Sequence, residues 1–132
     1  MDTSWEKTLT KYLYKNASLQ LASSLLKAGH RVYFYRLDWG KEKFGACHAQ
    51  DLALVFDLNV SNDELHMIPQ ETRPLASSVH ECWKQFMIKN TPREDWPLFN
   101  SGQYMVINHK WTLDMLNDNE IDWNFPIQVF KK

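Results

Sequence analysis

Cys47, His48 and Asp51 form the densest group of chemically capable side chains in the sequence, within the run FGACHAQDLALVF. Three chemistries could use them. A thiol activated by an imidazole is one, a metal held by Cys and His is the second, and an imidazole acting as a general base is the third. Adjacent residues in an extended loop point their side chains apart, which is poor geometry for a Cys–His pair. No second pair at zinc spacing accompanies Cys47 and His48, so neither a metal nor any other cofactor is implied. The general base then needs a nucleophile and an orienting acid from elsewhere.

Other titratable residues have plainer readings. His80 and Cys82 stand two apart on a helical segment and so face different ways. His66 and His109 fall in polar loops, and His30 precedes a strand as a surface residue. Asp57, Asp63 and Glu64 lack the spacing and the Gly of a calcium loop and read as solvated.

The elements that must position this group come in mixed order. NASLQLASSLLKAGH carries Leu21, Ala22, Leu25 and Leu26 on one helical stripe, with Asn16 or Ser18 to cap its start and Gly29 at a left-handed C-cap. An earlier helical stretch is expected around residues 5–14. RVYFYRLDW reads as a strand, with Val32, Phe34 and Arg36 on one face and Tyr33, Tyr35 and Leu37 on the other. A strand apolar on both faces is expected to be interior, covered by helices on each side. GKEKFGACHAQ follows as a loop, DLALVFDLN is short and either helical or extended, and VSNDELHMIPQE is a polar excursion.

A helix is expected from Thr72 to about Lys89, with Pro74 in its first turn and Leu75, Val79, Trp83, Phe86 and Met87 as its apolar stripe. Trp83 and Phe86 face the core on that spacing. Trp96, before Pro97, anchors a turn-rich connection. QYMVIN is a second strand, HKWTLDML its hairpin partner, and the tail IDWNFPIQVFKK is broken by Pro126. Trp39, at the end of the first strand, either lines a pocket or covers the core.

The totals fit one domain, residues 1–132, with 44% hydrophobic and 23% charged residues. A net charge of −1 and the lack of a basic stripe interleaved with aromatics argue against nucleic acid as a partner. No apolar run approaches the ~18 residues of a membrane span, and the start MDTSWEKTLT is not a signal peptide. Two cysteines make no disulfide framework, so reduced thiols in a cytoplasmic protein are expected. The six Trp, five Tyr and seven Phe are much aromatic surface for a short chain and suggest that some of it meets a partner.

Taken in order, VYFYRLDW, GACHAQDLALVF, CWKQFMIKNTP, WPLF and YMVIN resemble the C-terminal part of the type B carboxylesterase and cholinesterase family. The resemblance covers roughly residues 19–107 and implies a partial α/β-hydrolase, the C-terminal strands and helices of its doubly wound sheet. It implies that His48 is the base of a serine-hydrolase triad. Asp51 resembles a structural acid of the His loop, not the triad acid. Trp39, past the strand's C-terminal end, is a candidate for lining an acyl or alcohol pocket. The family most often has Gly after the His, where this chain has Ala49, and a Gly after the Trp helix, at or near Lys89.

The remaining parts of a serine esterase cannot be written within these 132 residues. The glycines are Gly29, Gly40, Gly45 and Gly102, which make neither a G-x-S-x-G turn nor a Gly-Gly oxyanion loop. Residues 1–31 precede the first strand and read as helix. The isolated chain is therefore expected to be inactive, with ester as substrate only in a complete enzyme. Its expected partner is an upstream hydrolase fragment. Alternatively the chain is a non-catalytic module that self-associates or binds another protein through its apolar strand.

Overall fold

The structure is a computed structural model that describes residues 4–40, 46, 49–58 and 72–117. Cys47, His48, the polar excursion over residues 60–71 and the tail from residue 118 lie outside the described residues. The elements run as α1 (Ser4–Leu9), a π-helical turn (Thr10–Lys15), α2 (Asn16–Lys27), β1 (Tyr35–Leu37), α3 (Gln50–Val55), α4 (Arg73–Lys89), β2 (Gln103–Ile107) and β3 (Thr112–Met115). The sheet order is β1-β2-β3. β1 and β2 are parallel, with Tyr35 opposite Met105 and Leu37 opposite Ile107, and β3 returns antiparallel as β2's hairpin partner. This is a small mixed sheet with helices on both faces, a partial α/β fold.

Period-two alternation divides the core. Tyr33, Tyr35, Leu37, Met105 and Ile107 face α3 and α4, and pack with Trp39, Leu54, Val79 and Trp96. Val32, Phe34, Tyr104 and Val106 face α2, and pack with Leu19, Ala22 and Phe99. The two faces read from the sequence of the first strand are thus the two faces found. Its edge is not as expected, because among the described residues β1 lies at the side of the sheet and β2 holds the middle. Apolar residues on both faces report coverage by helices and carry no information about lateral neighbours.

The regular ladder of β1 is also shorter than the apolar run. The carbonyl of Val32 accepts from the Phe99 amide at 2.8 Å. The carbonyl of Phe34 accepts from the Met105 amide at 3.1 Å and from the Trp96 indole Nε1–H, also at 3.1 Å. The connection between α4 and β2 therefore takes up the first half of the run, and Trp96 is the anchor expected of it. Trp96 sits edge-on to Tyr35, Trp83 and Trp111, each with centroids 6.1 Å away. Such contacts add about 0.5–1.5 kcal/mol each beyond area burial.

The N-terminal helix corrects the expected cap and stripe. Asn16 has helical φ and ψ of −60° and −45° and is fully buried, because the chain is already helical from Ser4 onward. Leu19, Ala22 and Leu26, spaced by three and four, face the sheet. Leu21 and Leu25 point outward, and Leu21 is 60% exposed. Gly29 does take the left-handed conformation, with φ of 83°. In α4, Pro74 sits in the first turn and Leu75 and Val79 are buried, but Phe86 is 43% and Met87 75% exposed. The stripe thus weakens at its C-terminal end, where the half-exposed Phe86 still meets the Tyr33 ring edge-on at 5.9 Å and Met87 turns to the surface.

Candidate active site

The chain between β1 and α3 is held at both ends. At its start, the amides of Asp38 and Trp39 both donate to the carbonyl of Ile107, at 2.9 and 3.2 Å. Two donors on one acceptor end the ladder and turn the chain away from β2. Trp39 is 5% exposed and packs in the core with Ala53, Leu54 and Ile107. At the far end, α3 opens at Gln50, so the segment called helical or extended is helical over Gln50–Val55.

Asp51, in the first turn of α3, accepts a hydrogen bond of 2.7 Å from the Tyr35 hydroxyl on β1. Burial, then that hydrogen bond and the charge of Asp51, raise the Tyr35 phenol well above its ordinary value. The phenol therefore stays protonated and donating across the ordinary pH range. The side chain of Asp51 is thus engaged by β1, which ties the helix after the loop to the strand before it.

Ala49, the N-cap of α3, is left-handed, with φ of 66° and ψ of 8°. That conformation costs an L-residue with a Cβ about 1–2 kcal/mol, and Gly escapes the cost. At the C-cap of α4, Asn90 is left-handed with φ of 57°. Asn is among the few non-Gly residues that visit this region readily. The left-handed residue is therefore one position beyond Lys89. At both points where the resemblance led one to expect Gly, the backbone keeps the glycine-type geometry with another side chain.

Sequence reasoning missed Tyr35 as the partner of Asp51. The only signal was a Tyr on the strand face that meets the following helix. Among the described residues, His80, Cys82 and Asp57 take structural places. His80 Nδ1 lies 2.8 Å from the carbonyl of Val55, joining α4 to α3. Cys82 is buried, and burial pushes its thiol up to about 11, which leaves no thiolate at neutral pH. Asp57 pairs with Arg73 at 3.0 Å. Among the described residues no three His, Cys, Asp or Glu side chains gather as a metal site requires. No described helix is long and apolar enough to cross a membrane.

A sheet with a parallel strand pair and helices on both faces is a piece of an α/β fold. The model of the family described as "Carboxylesterase family" matches residues 2–123, and the chain belongs to that family. The structure superposes on the Geobacillus stearothermophilus carboxylesterase EST55 solved at pH 6.2, with a TM-score of 0.72 and 22% identity. That match covers 84% of this chain and 25% of the Geobacillus chain. The same enzyme at pH 6.8 gives a TM-score of 0.75 and 21% identity over 88% of this chain and 27% of that one. At this identity the likeness is one of fold. No individually curated protein matches the sequence. The chain spans about a quarter of the solved carboxylesterase it matches.

Proposed function

We propose that the chain is the C-terminal, base-bearing part of a carboxylesterase-family serine hydrolase, with His48 as the triad base. The observation that carries this reading is the crossing from β1 to α3. It leaves the carboxyl end of a strand in a parallel pair, where open α/β sheets place their sites. Its two ends are fixed by the Ile107 carbonyl and by the Tyr35–Asp51 hydrogen bond. His48 directly precedes the left-handed Ala49 in the sequence.

In this role the imidazole takes the proton of a serine hydroxyl as that oxygen attacks an ester carbonyl, then returns it to the leaving alcohol. The serine, the acid that orients His48 and the oxyanion donors come from the rest of the hydrolase sheet. Asp51 is committed to Tyr35, which suits an acid that shapes the loop. The near-complete burial of Trp39 supports a role in covering the core. A lone imidazole contributes about 10²–10⁴-fold when positioned, too little for useful turnover without the other parts.

The test pairs a short-chain p-nitrophenyl ester assay with labelling by a serine-directed phosphonate. The isolated chain is expected to show no covalent labelling, and any weak hydrolysis should fall on His48→Ala. Phosphonate labelling of a serine within these 132 residues would overturn the reading.

A further inference from the structure

Three tryptophans and Tyr35 form a chain of rings that runs from the surface into the core. Trp111 stands half-buried at the outer end, with the Arg93 guanidinium 4.6 Å from its ring centre. Trp96 follows, nearly buried, with its centroid 6.1 Å from Trp111, and Trp83 lies a further 6.1 Å on. Tyr35 closes the chain, 5.2 Å from Trp83 and 6.1 Å from Trp96. Indole and phenol are the rings that give up one electron most readily, so close contact between them is a route for an electron vacancy.

The surroundings give this route a direction. At Trp111 the Arg93 cation, although paired with Asp95, lies against the ring and opposes loss of an electron there. At Trp96 the indole N–H donates to the Phe34 carbonyl at 3.1 Å, and that dipole favours positive charge on the ring. At Tyr35 the hydroxyl donates to Asp51 at 2.7 Å. A phenol that loses an electron becomes a strong acid and needs a base within hydrogen-bond reach. Asp51 is that base, already in place. Tyr104 makes the contrast. It too donates to a carboxylate, Asp114, at 3.1 Å. There, however, the Arg36 guanidinium donates to the same phenol oxygen at 3.0 Å, which opposes its oxidation, and the ring meets Phe34.

We propose that Trp111, Trp96 and Trp83 carry a one-electron oxidising equivalent inward, and that Tyr35 holds it as a neutral tyrosyl radical with its proton on Asp51. The reactant is an outer-sphere one-electron oxidant that reaches Trp111 and is itself reduced by one electron. Trp96 refills Trp111, and Tyr35 refills Trp96, directly or through Trp83. Tyr35 thus loses one electron to the ring chain and one proton to Oδ2 of Asp51. No bond between heavy atoms forms or breaks. A one-electron reductant such as ascorbate restores the phenol, with Asp51 returning the proton. None of this depends on the role of His48.

The test places the oxidant at the outer end. In the full chain, Cys47→Ser removes a competing thiol and Lys110→Cys carries a tethered ruthenium polypyridyl beside Trp111. A flash and a quencher produce ruthenium(III), and transient absorption separates the broad visible band of an indole radical from the sharp near-ultraviolet band of a tyrosyl. The indole radical should appear first and decay into the tyrosyl. Tyr35→Phe should lose the tyrosyl band and leave the indole radical long-lived. Asp51→Asn keeps a hydrogen-bond acceptor but no base, and should lose most of the tyrosyl yield. Trp96→Phe should slow the appearance of the tyrosyl, and Tyr104→Phe should leave it unchanged. Near-ultraviolet circular dichroism checks that the rings stay packed in each variant. A radical that remains on indole in the parent overturns the proposal. So does a tyrosyl that survives Tyr35→Phe, is lost in Tyr104→Phe, or is unaltered by Asp51→Asn or Trp96→Phe.

Discussion

The two faces of the sheet are closed by different means. On one, Leu54 of α3 and Val79 of α4 pack with Trp39 and Trp96 against Met105 and Ile107, and three tryptophans and Tyr35 meet edge to face. On the other, the single helix α2 lays Leu19 and Ala22 over Val32, Phe34 and Val106, and turns Leu21 and Leu25 outward. The lesson is that one face is closed by two helices and a cluster of aromatic rings, and the other by one helix.

The strongest way to break that contrast uses two leucines of equal burial, Leu54 at 0% and Leu19 at 1% exposure. Leu54→Ala should cost about 4 kcal/mol, because two helices and the sheet cannot collapse into the void. Leu19→Ala should cost about 3 kcal/mol, because a single covering helix can shift inward. Urea midpoints measure both, and equal losses would mean that the faces are equally rigid. Next in size, Tyr35→Phe removes the donor to Asp51 and should cost about 1 kcal/mol, since the half-exposed carboxylate regains water. If the loop is held as described, the His48 region should also become more sensitive to protease in this variant.

A third change runs the other way. Ala49→Gly relieves the left-handed strain while freeing the unfolded chain, for a net gain of about 0.5–1 kcal/mol. A loss of thermal stability on that substitution would contradict the left-handed turn. The Cys82 thiol, raised to about 11 by burial, gives a pH signature. A thiol held neutral by folding stabilises fully below its unfolded value near 9, and this contribution fades as pH climbs through 9 to 11. Stability should decline over that window, and mass mapping should find Cys82 unmodified by iodoacetamide at pH 8. The smallest effect belongs to the open face of α2. Leu21→Gln should stay within about 0.5 kcal/mol of the parent in the isolated chain.

Much of this was legible in the residues. Alternation along RVYFYRLDW assigned both faces correctly, because side-chain direction in a strand follows from parity alone. Pro74 marked the start of α4, and the aromatic Trp96 marked an anchor. The rest depended on what a residue meets. Leu21 and Leu25 satisfy a helical stripe as well as Leu19 and Ala22 do, and only the position of the sheet chooses between them. Met87 extends the stripe of α4 past the end of its support. The position of β1 within the sheet was hidden because backbone pairing leaves no mark on side-chain type. The Tyr35–Asp51 bond joins two segments through space and had no periodicity to announce it. His48 and Cys47 lie outside the described residues, so their roles rest on sequence and family alone.

The π-helical turn at Thr10–Lys15 has a consequence for insertions and deletions. A π segment carries i→i+5 bonds and holds one more residue than an α-helix of the same span needs. Losing one residue there would let the turn close into ordinary α-helix while the residues on either side keep their orientation. Losing one residue between Leu19 and Ala22 would rotate the helix beyond it by about 100° and turn its buried side chains to water. The N-terminal helix therefore has one place where its length can change by a single residue without disturbing what α2 buries.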